Sequence, residues 1–239
     1  RQIASEALGL PIEKINMICT DSSEAPNAGS ASASRMTFMG GRAVHDAARA
    51  ARDKWSSTDD ERSARATIQY RAPATTVIDP VTHTGVPNYC YGYSAQAVQV
   101  EVNVLTGQVQ VLGIISVHDV GKAINMQQVT GQIEGCLAQA LGYALMENFQ
   151  AKDGHILTTH FSTYLLPTVL DMPTEIIPIV LELSDPHGPY GARGVAEMPL
   201  IPFAPAVASA IHNATGAWLN QLPMTPERVL TALHSRAAL

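Results

Sequence analysis

The clearest hydrophobic pattern lies at residues 93–117 (YSAQAVQVEVNVLTGQVQVLGIISV), where Val98, Val100, Val102 and Val104 alternate with polar neighbours. A period of two sends successive side chains to opposite faces, so the run predicts a strand with one buried face. Thr106 and Gly107 interrupt it and a second alternating run comes after, which predicts a β-hairpin. Elsewhere the period is helical. Residues 2–10 place Ile3, Ala7 and Leu8 on one face, with Gly9 and Pro11 as stop signals. Residues 34–55 predict a helix burying Val44, Ala47, Ala48 and Ala51. Further helices are expected at 125–148, 203–215 and 226–236, the last with Thr225 as N-cap and Pro226 at its first position. Apolar runs at 15–19 and 176–183 read as strands, 20–34 as a polar loop and 56–62 as a charged surface connection. Helices and antiparallel hairpins are mixed without a regular βαβ series, so the expected class is α+β. One domain over residues 1–239 is expected, with a candidate subdomain break near 149–156.

Composition narrows this picture. At 239 residues and 46% hydrophobic content, the chain can build a real core. A net charge of -6 without any basic run argues against nucleic acid as a partner. No apolar run reaches the roughly 18 residues of a membrane span. Cys19, Cys90 and Cys136 are scattered, odd in number and without C-x-x-C spacing. That pattern points to a reducing compartment and a cytoplasmic location. The chain opens at Arg1, without methionine or a signal-peptide pattern, directly into a helix lacking a start signal. A chain cut from something longer, by processing or as a split subunit, fits that opening.

Four segments could carry chemistry. Residues 191–202 (GARGVAEMPLIP) set Glu197 among glycine, small residues and proline. Gly191 and Gly194 permit sharp turns or close approach, and Pro199 and Pro202 stiffen the backbone after the acid. The tract reads either as a rigid ledge holding a general base or as a loop with a solvated acid. Residues 29–44 (GSASASRMTFMGGRAV) lead small hydroxyl residues into a helix start, where Ser34 and Thr37 could reach an anion or simply cap. In the helix at 125–148, Gly131, Gly135 and Gly142 clear one strip, with Ala138 adding to it. Each interior glycine costs about 1 kcal/mol against alanine. Close helix packing or the approach of a planar ligand could justify them, with Gln132 offering an amide that donates and accepts. Glu134 falls on another face. Lastly, His118, His160, His187 and His212 show no metal-ligand spacing and read as packed or solvated.

Six segments carry a resemblance. HDVGKAIN at 118–125, GQIEGCLAQALGYAL at 131–145, YLLPT at 164–168 and GPYGARGVAE at 188–197 are joined by TGQV at 106–109 and PMTPERVL at 223–230. In this order and spacing the chain resembles the large subunits of the xanthine oxidase family of molybdenum hydroxylases, over essentially its whole length. The match is to the C-terminal part of a molybdenum subunit, so the resemblance makes residues 1–239 a C-terminal molybdopterin-binding domain. It implies that Glu197 is the general base beside the metal, and that Gln132, with Gly131 beside it, meets the pterin. It further implies that Ser34 and Thr37 hold cofactor phosphate, and that the backbone at Ala196 packs against the metal centre. No side chain is expected to ligate molybdenum, which the pterin dithiolene holds. The expected cofactor is molybdopterin in its cytosine dinucleotide form, with FAD and [2Fe-2S] on partner subunits.

The implied partners are a second molybdenum-subunit chain, an iron–sulfur subunit, a flavin subunit and a small-molecule substrate. The expected reaction is hydroxylation of an electron-poor carbon of a purine- or pyridine-type N-heteroaromatic, using water-derived oxygen. An aldehyde-oxidising enzyme and a non-catalytic assembly half-subunit are the alternatives. Two positions depart from the family pattern. Ala196 stands where relatives commonly have glycine, and Met126 follows Asn125 where proline is common. The second is expected to affect only the helix start.

Overall fold

The hairpin signal at 93–117 folds into strands β1 (Tyr93–Val102) and β2 (Val109–Asp119), and a later strand, β5 (Glu175–Leu181), completes a three-stranded sheet in the order β1-β2-β5. The structure is a computed structural model that describes residues 1–56 and 63–237. Beyond Ser56, the charged connection expected at 56–62 lies outside the described residues. Two short strands, β3 (Ala151–Lys152) and β4 (His155–Ile156), form a separate antiparallel hairpin. The helices are α1 (Gln2–Leu8), α2 (Gly41–Ser56), α3 (Met126–Leu141), α4 (Phe203–Thr215) and α5 (Pro226–Ala237). The α+β class is therefore observed.

The chain divides into two compact units. The first contains Arg1–Gly92, Asp119–Met126 and Glu182–Gly194. The second contains Tyr93–His118, Gln127–Leu181 and Val195–Leu239. Residues 149–156, the candidate break, lie inside the second unit and carry β3 and β4.

In the second unit, α3 and α4 build the core with the sheet. Ile133, Leu137, Phe203, Val207 and Ile211 are completely buried, and Val98, Val100 and Val102 of β1 pack against them. Burying a side chain of this size contributes about 1.5–3 kcal/mol, which is why strict alternation survives along β1. Val104 does not continue it, being 57% exposed. The Asn103 side chain accepts from the amides of Leu105 and Thr106 at 3.0 and 3.1 Å, and Gly107, at φ +75°, donates to the Asn103 carbonyl. This side-chain-capped turn captures Val104 and ends the strand at Val102.

The first unit pairs α1 with α2. Gly9 ends α1 in the left-handed conformation, as its position predicts. The buried face of α2 is not the expected one: Val44 is exposed, whereas Gly41 and His45 are buried. A methyl group on Gly41 would lie 2.7 Å from Ile3 and 3.0 Å from Pro189, so the close approach there sets the helix's rotation. The strand expected at 15–19 does not form, and Met17 and Ile18 are exposed. Its Ile15 carbonyl accepts from the Arg1 guanidinium at 2.9 Å instead of joining a ladder.

Candidate active site

The ledge begins in the first unit. Gly191 turns at φ +88° against Ser184, and its carbonyl accepts from the amides of Lys122 and Asp185. Arg193 then anchors the tract in both directions. Its amide donates to the Val120 carbonyl at 2.7 Å, while its guanidinium lies 3.1 Å from Asp119 and 2.9 Å from Asp185. All three side chains are nearly buried, so the two carboxylates depend on this one cation. Gly194 is next, and a methyl there would overlap the Ser34 carbonyl and sit 2.8 Å from Ser34 Cβ. Glycine is required because two backbones meet.

That contact brings in the hydroxyl-rich loop. Ala33 and Ser34 both have positive φ, at +54° and +56°. Helical backbone starts directly after Ser34, as a π-helical turn Met36–Gly40 that runs into α2. Thr37 is exposed on that turn and Ser34 is half-buried. Arg35 folds back, donating to the carbonyls of Ser30, at 2.6 Å, and Ala28. The loop thus holds a guanidinium and hydroxyls beside a helix start, a setting that suits an anion.

Glu197 belongs to the second unit and is exposed. It precedes a 3₁₀ turn, Met198–Leu200, and its carbonyl accepts from the Leu200 amide at 3.2 Å. The carbonyls on either side of it are held by side chains. Ala196 O accepts from Gln132 Nε2 at 2.8 Å and from Cys136 Sγ at 2.9 Å. Gln132 and Cys136 lie one turn apart on α3, which aims both at one atom. Pro199 O accepts from Gln96 Nε2 at 2.7 Å. The same nitrogen donates to Ser116 Oγ at 2.9 Å, and Ser116 lies 2.6 Å from His118 Nε2. Ser116 Oγ thus accepts from Gln96 and shares a second hydrogen bond with His118 Nε2. Burial lowers the His118 pKa, in agreement with a neutral ring.

The glycine strip expected along the 125–148 helix divides in two, with Gly142 in a π-helical turn, Gly142–Met146, that follows α3. Gly142 is buried, and a methyl on it would overlap the Glu147 carboxylate and lie 2.7 Å from Pro167. Close packing explains that glycine. Gly131 and Gly135 are exposed, and a methyl on either would meet nothing within 4 Å. They leave open surface beside Gln132. Met126 is the first residue of α3.

The second unit therefore brings Gln132, Ala196 and Glu197 together, with Gly131 alongside. Ser34 and Thr37 lie in the first unit, beside Gly194. Among the described residues, no group of three His, Cys, Asp or Glu could hold a metal ion. The same residues contain no helix long and apolar enough to cross a membrane. Sequence reasoning missed Gln96, Ser116 and Cys136 and gave His118 no role. Gln96 had a signal, since it shares the inward parity of Val98 and Val100. Cys136 had one too, four residues beyond Gln132.

Residues 1–64 and 54–173 match the profile of the molybdopterin cofactor-binding domain. The chain is 32% identical to a probable xanthine dehydrogenase subunit of Bacillus subtilis, over 98% of this chain and 35% of that protein. It is also 32% identical to the aldehyde oxidoreductase of Megalodesulfovibrio gigas, over 97% of this chain and 26% of that one. The crystal structure of the aldehyde oxidoreductase from Desulfovibrio desulfuricans aligns with a TM-score of 0.83 at 32% identity, over 97% of this chain and 26% of that one. The chain thus spans about a third, or less, of the length of these relatives.

Proposed function

Because the chain belongs to the molybdopterin cofactor-binding domain family of xanthine dehydrogenases and aldehyde oxidoreductases, we propose that it carries the general base and part of the cofactor cradle of a cytoplasmic molybdenum hydroxylase. The reaction is the hydroxylation of an electron-poor carbon of a purine- or pyridine-type ring, with oxygen drawn from water. Glu197 Oε takes the proton released as that oxygen becomes nucleophilic. A carboxylate suits the task because its oxygens can accept a proton, and the exposed site leaves it reachable.

Molybdopterin, in its cytosine dinucleotide form and carrying molybdenum, would supply the two-electron oxidising centre when bound. The residues fit such a group. Gly131 and Gly135 leave a clear face where side chains would otherwise stand, and Gln132 presents an amide on that face. Ser34 and Thr37, with the Arg35 guanidinium close by, suit the phosphate end. Ala196 adds one methyl beside the cofactor. Electrons would leave through [2Fe-2S] and FAD on an iron–sulfur and a flavin subunit, and a second molybdenum-subunit chain would complete the pocket.

The observation that supports this reading most is the double grip of Gln132 and Cys136 on the Ala196 carbonyl. A general base must be held in place, and two donors one turn apart on α3 hold the peptide that bears Glu197. A specific observation also favours aldehyde oxidation, namely the likeness to two aldehyde oxidoreductases. Both readings are tested on the complex purified from its source, with molybdenum content measured and turnover followed on hypoxanthine and on benzaldehyde. Glu197→Gln is expected to retain molybdenum and to lose about 10²–10⁴-fold in kcat. Full turnover by the variant would remove Glu197 as the base, and benzaldehyde turning over in place of hypoxanthine would establish the aldehyde reading.

A further inference from the structure

The carbonyl on the far side of Glu197 has its own support, which the reaction scheme leaves unused. Gln96 lies on β1 with Val98 and Val100, on the face that packs into the core. A polar side chain there must find partners, since an unsatisfied buried amide costs about 1–3 kcal/mol. Its nitrogen finds two, the Pro199 carbonyl at 2.7 Å and Ser116 Oγ at 2.9 Å, while its oxygen is buried without a hydrogen-bond partner. Ser116 and His118, both completely buried, stand behind it on β2. The contacts run from amide to hydroxyl to imidazole, so each group constrains the orientation of the next.

We propose that Gln96 is a positioning residue for Glu197, with Ser116 and His118 as its backing. This rests on the reading of Glu197 as the base. Gln132 and Cys136 hold the peptide before Glu197, and Gln96 holds the Met198–Leu200 turn after it. With one carbonyl pinned on each side, the direction of the Glu197 side chain is set by the sheet and α3 rather than by a free loop. Gln96 touches no reacting atom, so its loss should misplace the carboxylate without removing it. Misplacement by about 1 Å is enough to cost on the order of 10²-fold in rate.

The test uses the purified complex carrying Gln96→Met, which keeps side-chain length and removes the amide. Ser116→Ala serves as a second variant, should the first fail to assemble, and Ser116→Thr as the conservative one. Amide hydrogen exchange over residues 195–201, read by mass spectrometry, should quicken roughly five- to tenfold as one hydrogen bond is lost. Exchange in β1 and α4 should stay unchanged. On hypoxanthine or benzaldehyde, kcat should fall about 10–100-fold while KM and molybdenum content hold, and Ser116→Thr should restore the rate. Unchanged exchange at 195–201 in both disruptive variants would overturn the proposal, as would an equal rise through β1 and α4, which marks a merely structural role. Full turnover by Glu197→Gln would instead remove the base itself, leaving the exchange result standing as evidence of backbone support alone.

Discussion

At the scale of single residues, Arg193 carries more of the ledge than Glu197 does. It neutralises Asp119 and Asp185, whose remaining partners are backbone amides of Gly121, Leu183 and His187 and the Cys90 thiol. Arg193→Met would leave two buried carboxylates facing one another. It should destabilise the protein by about 3–5 kcal/mol, read from the denaturation midpoint. Arg193→Lys keeps the charge but lacks the fork that reaches both acids, so it should fall between the two. None of this was legible in the sequence, because Asp119, Asp185 and Arg193 meet only after folding. The special backbone around Glu197 was legible for the opposite reason. Glycine, small residues and proline surround it, and such local chemistry declares a special backbone before any contact is known.

At the scale of elements, α3 and the π-helical turn after it separate two uses of glycine. Gly131→Ala and Gly135→Ala meet no neighbour and should each stabilise the helix by about 1 kcal/mol, seen as a raised unfolding midpoint. The same changes should lower molybdenum content if that face receives the cofactor. Unchanged molybdenum in the stabilised double variant would leave the face without that role. Strand β2 carries a pH dependence. The His118 pKa is lowered by burial, so below the ordinary histidine value of about 6.5 the unfolded chain binds a proton that the folded one resists. Stability should be full above that value and should decline as pH falls below it. His118→Leu should flatten this part of the melting-temperature profile. The helices and the hairpin were readable because their buried faces repeat with one period. The strand expected at 15–19 was not correctly readable, since an apolar run says nothing of whether a ladder partner exists. The burial of α2 was also misjudged, because a glycine contact with Ile3 and Pro189 outranked the valine face.

At the scale of the whole chain, the α+β class is set by local pattern, but the division into two units is not. Each unit is assembled from three separated segments, and the segment boundaries fall within or beside β2, α3 and the ledge. Only long-range contacts define such units, and no composition shift or linker marks them. Apolar surface is also left outside. Ile177, Ile179 and Leu181 of β5 are each about 40% exposed, and Leu170 is 92% exposed. Contiguous exposure of this kind marks association surfaces in soluble proteins.

The grip of α3 on the ledge also bears on the cofactor proposed for its open face. The Gln132 amide nitrogen carries two hydrogens. One goes to the Ala196 carbonyl, and the other points to Cys136 Sγ at 3.3 Å. Both donors are engaged within the chain, so only the amide oxygen remains for a visitor. A ring edge bearing N–H or NH₂ gains a hydrogen bond there, whereas the tautomer with a bare nitrogen sets lone pair against lone pair. Toward the cofactor proposed for this face, Gln132 would therefore favour one tautomer, through the same contact that pins the Ala196 carbonyl.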